Sequence, residues 1–112
     1  MATISDSLTT VLVICDFDAA DCDEIVARAR AAGPIFARQP GFVSAALHVG
    51  ENKDRMVQYL QWESVDHHYA CQKSDDWKSP EGGAFWQLIQ EGTMKIDAQI
   101  YTIADHHEGA RA

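Results

Sequence analysis

An amide and an indole ring lie four residues apart near the middle of the chain, at Gln58 and Trp62. Both belong to a segment from Met56 to Trp62 whose residues alternate as in a β-strand. Residues four apart in a strand point to the same face, so the two N–H donors can address one cavity. Such donors can stabilise negative charge that develops on a substrate oxygen. A strand-end Trp is also a common core residue, and that interpretation of Trp62 stays open.

The histidines are the natural candidates for a base or a metal ligand. His48 ends the alternating segment that precedes the Gln58 strand. His67 and His68 are adjacent in a predicted helix, so their rings point about 100° apart. His106 and His107 lie near the end of the chain. Because a metal site needs converging ligands, we interpret these pairs as surface or pocket-lining groups.

Familiar catalytic motifs are absent from the sequence, including phosphate-binding glycine loops, Gly-x-Ser-x-Gly and His-Glu-x-x-His. The cysteines, Cys15, Cys22 and Cys71, are odd in number and include no Cys-x-x-Cys pair. They are therefore expected to be reduced thiols that pack as small hydrophobic residues. No metal site is predicted.

Composition indicates one folded domain in the 112 residues, with 46% hydrophobic and 23% charged residues. The 17 acidic and 9 basic residues give a net charge of −8, which repels nucleic acid and anionic membrane. Neither is expected as a partner. The N-terminus has no basic leader, and the apolar run Val11 to Cys15 is too short to span a membrane. We therefore expect a cytoplasmic protein.

The hydrophobic pattern predicts a β-α-β-β-α-(α)-β order. A strand covers Thr10 to Phe17, and a helix begins at the capping box Asp21-Cys22-Asp23-Glu24. Pro34, after Gly33, should kink or break this helix. Pro40-Gly41 then opens a hairpin whose strands are joined by Gly50 to Asp54. Even alternation would place one set of first-strand residues on a common face: Phe42, Ser44, Ala46 and His48.

Two capping signals predict the later helices. Ser64 should cap a helix, and Ser79-Pro80 should open another that ends at Gly92. The inward stripe predicted for the Ser64 helix consists of Val65, His68, Tyr69 and Gln72. A last strand is predicted from Ile96 to Ala104.

This order suits an α+β, ferredoxin-like fold, with a four-stranded antiparallel sheet and helices on one face. The other face would be apolar and bare, so we predict a homodimer that buries it as a dimeric α/β barrel. One domain is expected over residues 8–105, with flexible termini at 1–7 and 106–112.

The two hairpin strands resemble the core signature of the antibiotic biosynthesis monooxygenase family. The resemblance rests on Pro40-Gly41-Phe42, Ser44 and His48 in the first strand, and on Gln61-Trp62-Glu63-Ser64 at the end of the second. From Pro40 to Tyr69 the sequence is similar to cofactor-independent anthrone monooxygenases of aromatic polyketide pathways. Gln58 departs from their pattern, since those enzymes have Asn there.

The resemblance implies a monooxygenase that oxidises an electron-rich phenolic or anthrone-type substrate with O₂ to a quinone. Trp62 and Gln58 would stabilise the oxyanion, and His48 would be the base. Tyr69 would position a substrate oxygen. The other substrate-binding residues expected are Phe42, His68 and Trp86.

No cofactor is expected. Haem-degrading members of the superfamily use a histidine in the helix after a Ser-Asp element, whereas Ser74-Asp75 is followed by no histidine before His106. Nothing resembles the phosphate-binding turn that a flavin needs.

Two other functions stay open, because a fold does not fix a function. One is a non-redox isomerase on the same scaffold. The other is a non-catalytic dimeric module that binds an aromatic ligand on Trp62 and Tyr69.

Overall fold

A computed structural model describes residues 7–110. In chain order the elements are β1 (Thr9–Phe17), a first 3₁₀ turn (Ala19–Asp21), α1 (Cys22–Ala37), β2 (Phe42–Val49), β3 (Arg55–Trp62), α2 (Val65–Gln72), a second 3₁₀ turn (Asp75–Lys78), α3 (Pro80–Gln90) and β4 (Met94–Tyr101). The flexible termini predicted at both ends include residues 1–6 and 111–112, which lie outside the described residues.

The strands form one sheet in the order β2-β3-β1-β4, and every neighbouring pair is antiparallel. The core lies between the three helices and one face of this sheet, which we call the covered face. Its largest fully buried members include Val11, Cys15, Met56, Leu60 and Trp62 from the strands and Ile25 and Ile35 from α1. The predicted ferredoxin-like α+β fold is confirmed. None of the helices described is long and apolar enough to cross a membrane.

The start of α1 differs from the prediction. Asp21 is at the N-cap position, but its side chain forms no capping hydrogen bond. The preceding residues form a 3₁₀ turn, which gives Asp21 near-helical backbone angles of φ −95° and ψ 0°. A capping side chain normally extends from a β-region backbone towards the free N–H groups. The predicted capping box is therefore wrong.

The predicted break at Pro34 does not occur, and α1 continues to Ala37. Gly33 explains part of this continuity, since a residue without Cβ avoids the clash with the following proline ring that disfavours helical backbone. Ala32 and Ile35 are also buried on either side of the Gly-Pro pair. Burial of this stripe therefore stabilises the helix across it.

A β-bulge between Phe42 and Ser44 changes the faces of β2. Phe42 pairs with Trp62 on the covered face, whereas Ser44 pairs with Gln61 on the opposite face. The even-numbered residues that follow, through His48, also lie on that opposite face. The prediction that they share a face with Phe42 is wrong, because it assumed even alternation and one inserted residue reverses it.

Helix α2 is rotated relative to the prediction. His68 and Cys71 are buried, whereas Val65 and Tyr69 are 38% and 48% exposed. The Cys71 carbonyl accepts a hydrogen bond of 3.0 Å from the indole N–H of Trp77. Helix α2 has only eight residues, so its own hydrophobic pattern does not define which side faces the core. The hydrogen bond from Trp77 and the burial of His68 define that side instead.

The remaining boundaries follow local signals and strand pairing. The Ser79 hydroxyl accepts a hydrogen bond from the Gly82 N–H, and Gly92 follows the helix with φ +75°, so both predicted limits of α3 are confirmed. Strand β4 covers Met94–Tyr101 rather than the predicted Ile96 to Ala104. Its length matches its partner β1, since Tyr101 pairs with Thr10 and Met94 with Phe17.

The second face of the sheet, which we call the uncovered face, has no helix against it within residues 7–110. Its central apolar side chains are only half-buried: Leu12, Ile14, Val57 and Tyr59. This is the bare face that the sequence predicted.

Candidate active site

A cavity of about 190 Å³ lies between the covered face and the helices. Val13 and Leu60 of the sheet are buried at its base. Gln72, Trp86 and Ala98 also line it and are exposed. The cavity is therefore a slot with a buried base on the sheet and a mouth between α2, α3 and β4.

Aromatic rings form the wall of this slot opposite the sheet. Trp77 meets Phe36 at 5.2 Å between ring centroids and Trp86 at 6.0 Å, both with an interplanar angle of 74°. Phe85 completes the wall at 6.2 Å from Trp86. Such edge-to-face contacts are favourable and fix the ring orientations. The slot therefore suits a flat, largely apolar ligand.

The wall depends on the second 3₁₀ turn, which contains Trp77. Neighbouring Asp76 accepts hydrogen bonds from the side chains of Gln39 at 2.7 Å and Arg38 at 3.2 Å. Both hydrogen bonds lower the pKa of Asp76, and the bond from Gln39 has the larger effect. On the other side, a Cβ placed on Gly82 would lie 2.5 Å from the Trp77 carbonyl oxygen. The turn is therefore held between α1 and α3.

Gln58 and His68 are polar groups near the base of the slot. Gln58 is 7% exposed, and within residues 7–110 its amide forms no hydrogen bond. The amide is not among the fully shielded unpartnered groups, so it faces the open space of the slot and is available to a ligand or water. His68 is 9% exposed and likewise has no ring hydrogen bond in that part of the chain. Burial lowers the pKa of His68, which keeps it neutral near pH 7 and able to accept a proton.

Cys71 lines the same slot beside His68. Burial is the main cause that raises the pKa of its thiol, so the sulfur stays protonated. All three cysteines are buried, as predicted for thiols that pack as small hydrophobic residues. Within residues 7–110, no three His, Cys, Asp or Glu side chains converge as a metal site would require.

Trp62 lies beneath the slot rather than on its lining. It is fully buried on the same face as Gln58, and Phe42 packs against it edge to face at 5.5 Å. Its ring is 6.3 Å from that of His68. The Trp62 indole N–H has no hydrogen-bond partner in the part of the chain that the structure describes.

Like Trp62, the predicted substrate-binding residue Phe42 does not line the slot, because it packs against Trp62 instead. Two further predicted site residues lie elsewhere. His48 is exposed on the uncovered face, because the bulge in β2 reverses its side. Tyr69 is exposed on α2, with its ring 5.3 Å from His68, and does not line the slot. Of the predicted residues, the structure therefore brings Gln58, His68 and Trp86 together around the slot.

The sequence reasoning missed much of the aromatic wall, namely Phe36, Trp77 and Phe85. A signal for two of them was present, since Phe85 follows the Ser79-Pro80 helix start by about one and a half turns and Trp77 lies two residues before Ser79. Nothing local marks Phe36, which reaches the slot from α1.

A family model described as antibiotic biosynthesis monooxygenase matches residues 16–79, more than half of the chain. This region includes both Gln58 and His68. None of the curated protein sequences compared with the chain matches it significantly.

Solved structures share the fold at low sequence identity. SnoaB, a cofactor-independent oxygenase from Streptomyces nogalater, is 19% identical with a TM-score of 0.66, over 89% of this chain and 96% of that chain. A provisionally named antibiotic biosynthesis monooxygenase from Nitrosomonas europaea is 11% identical with a TM-score of 0.70, over 92% and 96%. A provisionally named monooxygenase from Shewanella loihica PV-4 is 16% identical with a TM-score of 0.69, over 92% and 100%. At these identities the likeness shows the fold alone.

Proposed function

The chain belongs to the antibiotic biosynthesis monooxygenase family, and from this premise we propose that it is a cofactor-independent monooxygenase. Its proposed substrate is an electron-rich phenolic or anthrone-type aromatic compound, which O₂ oxidises to a quinone. One observation carries the proposal: an aromatic slot whose base presents an unpaired amide and a neutral imidazole, Gln58 and His68. The description of SnoaB as a cofactor-independent oxygenase supports it.

In the proposed reaction, the substrate ring lies between the sheet and the aromatic wall, and His68 removes a proton from its activated carbon. The Gln58 amide donates a hydrogen bond to the resulting enolate oxygen. The carbanion passes one electron to O₂, and the radical pair recombines to a peroxide. Loss of a second proton from the same carbon breaks the O–O bond, giving the quinone carbonyl and water. One oxygen atom enters the product and the other leaves as water.

The proposed base is His68 in place of His48. His48 was predicted from the sequence, but it is separated from the slot by the sheet itself. Trp62 stays a proposed second donor, which would reach the enolate once a bound substrate shifts the lining that lies above its indole. What supports this role is its buried and unpartnered N–H, a state that is rare unless a ligand or water satisfies the group.

The proposed assembly is a homodimer in which two uncovered faces pack together. The support is the half-buried apolar surface of Leu12, Ile14 and Val57, which monomeric proteins rarely leave open. Light scattering should give the mass of a dimer at micromolar concentration. A glutamate in place of Leu12 should yield a folded monomer, because it would bury an unpaired charge at the interface. A monomeric wild-type chain would contradict the barrel.

The decisive experiment incubates metal-free protein with a simple anthrone in air and follows both quinone absorbance and O₂ consumption. We expect turnover that a chelator does not change and that Gln58→Leu abolishes. The alternatives give different results. An isomerase would convert a substrate without O₂ uptake, and a binding module would retain the anthrone without turnover.

A further inference from the structure

A crevice adjoins the aromatic slot between α1 and β2. Its volume is about 260 Å³, and it shares Phe36, Gln58 and Leu60 with the slot. Gly33 and Ala45 also line it, and their small size keeps the space between helix and strand open. Gln58 therefore borders both spaces, which places the crevice within reach of an arm attached to a ligand in the slot.

Arg30 lines this crevice and is exposed. Within residues 7–110 it forms no salt bridge, whereas Arg28, Arg38 and Arg55 are each paired with a carboxylate. Lys53 likewise lacks a carboxylate partner in the described part of the chain.

Arg30 and Lys53 both line an outer groove that continues from the crevice. Asp23 also lines this groove, but it forms no salt bridge with Arg30. In a chain of net charge −8, two unpaired cations beside one opening give a local attraction for an anion.

We propose that this crevice is a second subsite of the same binding site, which holds a carboxylate-bearing arm of the aromatic substrate against Arg30. The inference rests on the proposed function for the aromatic part of the substrate. Among residues 7–110, no lysine or arginine lines the aromatic slot, so an anionic group has no cationic partner there. The guanidinium of Arg30 offers the paired donors that match a carboxylate.

Binding by isothermal titration calorimetry tests the subsite without turnover. The probes are 9-anthracenepropanoic acid and its neutral primary amide, which differ only in charge at the end of the arm. The wild-type chain should bind the acid about 3- to 10-fold more tightly than the amide, as expected for a partly exposed ion pair. Arg30→Gln should remove this preference and leave the affinity for the amide unchanged.

Two further variants separate charge from space. Lys73→Gln removes the same charge from a cation that lines neither opening, so the preference for the acid should persist. Ala45→Leu keeps Arg30 but narrows the crevice, so both probes should bind more weakly. Thermal melting verifies that each variant is folded.

Equal affinity of the wild-type chain for acid and amide would overturn the subsite. So would a preference that survives Arg30→Gln, or unchanged probe binding in Ala45→Leu. Failure of the proposed function is a separate result: anthrone would not be oxidised, yet the Arg30-dependent preference for the acid would remain.

Discussion

Strand β3 contributes a glutamine to each face of the sheet, and the two differ in what they can still bind. On the uncovered face, Gln61 is fully buried, and both the oxygen and the nitrogen of its amide form hydrogen bonds. Its oxygen accepts from the Ser44 hydroxyl at 3.2 Å, and its nitrogen donates to the Tyr59 oxygen at 3.0 Å. On the covered face, Gln58 is nearly as buried but has no such partners within residues 7–110.

The histidines differ in the same way. His48 on the uncovered face is exposed to solvent, whereas His68 on the covered side is buried beside Gln58. Residue type alone therefore does not mark a site here. A polar group indicates a binding site when it is both shielded from water and left without an internal partner.

The largest expected effect separates the two histidines. His68→Phe keeps a ring of similar size but removes the proton acceptor, so kcat for anthrone oxygenation should fall by about 10²- to 10⁴-fold, as for loss of a general base. His48→Gln should leave kcat unchanged. Steady-state O₂ consumption measures both. If the two variants gave the opposite pattern, the base would lie on the uncovered face.

The next comparison uses the two glutamines. Gln58→Leu should lower kcat by about 10²- to 10³-fold, because it removes a donor to the developing oxyanion. Gln61→Leu should leave kcat intact but lower the free energy of unfolding by about 1–3 kcal/mol, since Ser44 and Tyr59 lose their partner. Quinone formation and urea denaturation distinguish these outcomes.

Controls for this comparison are Gln58→Asn and Trp62→Phe. The shorter amide should preserve oxygenation or raise it. Trp62→Phe keeps most of the ring but removes the N–H, so it should lower kcat by about 10²-fold if Trp62 is the second donor. A lower melting temperature with unchanged turnover would instead make Trp62 a core residue only.

Neighbouring glycines in α3 test how the covered face keeps its aromatic wall. A Cβ at Gly82 would collide with the Trp77 backbone, so Gly82→Ala should destabilise the fold by about 1–3 kcal/mol. Gly83 has open space around it, so Gly83→Ala should stabilise α3 by about 0.5–1 kcal/mol. Chemical denaturation measures both. Equal effects would mean that the turn containing Trp77 moves freely.

The smallest expected effect is a pH dependence. Burial lowers the pKa of His68 below the ordinary value of 6.5. Below pH 6.5 the unfolded chain takes up a proton that the folded chain still excludes, so the free energy of unfolding should decrease as pH falls. The decrease ends once pH passes the lowered folded pKa. The acid limb of kcat/KM should likewise have its midpoint below 6.5, and His48→Gln should not move it. A midpoint above 6.5 would exclude His68 as the base.

Short-range signals in the sequence determined the element order and several boundaries. Ser79 and Gly92 limit α3 through hydrogen bonding and backbone freedom that depend only on neighbouring residues. Alternation in β3 correctly placed Gln58 and Trp62 on one face, because period-two alternation holds along an unbulged strand. The bare face of the sheet was also predictable, since the strands carry apolar residues on both faces and the helices can cover only one of them.

Tertiary structure alone decided which polar residues meet in the slot. The bulge at the start of β2 depends on pairing with β3, and it moves His48 away from the site. The rotation of α2 depends on a hydrogen bond from Trp77, a residue outside the helix, and it buries His68 instead of Tyr69. Both are non-local contacts, whereas the pattern within one element constrains only its own face. The sequence by itself therefore determined the sheet, the helices and their order, and the packing between them determined which side chains can do chemistry.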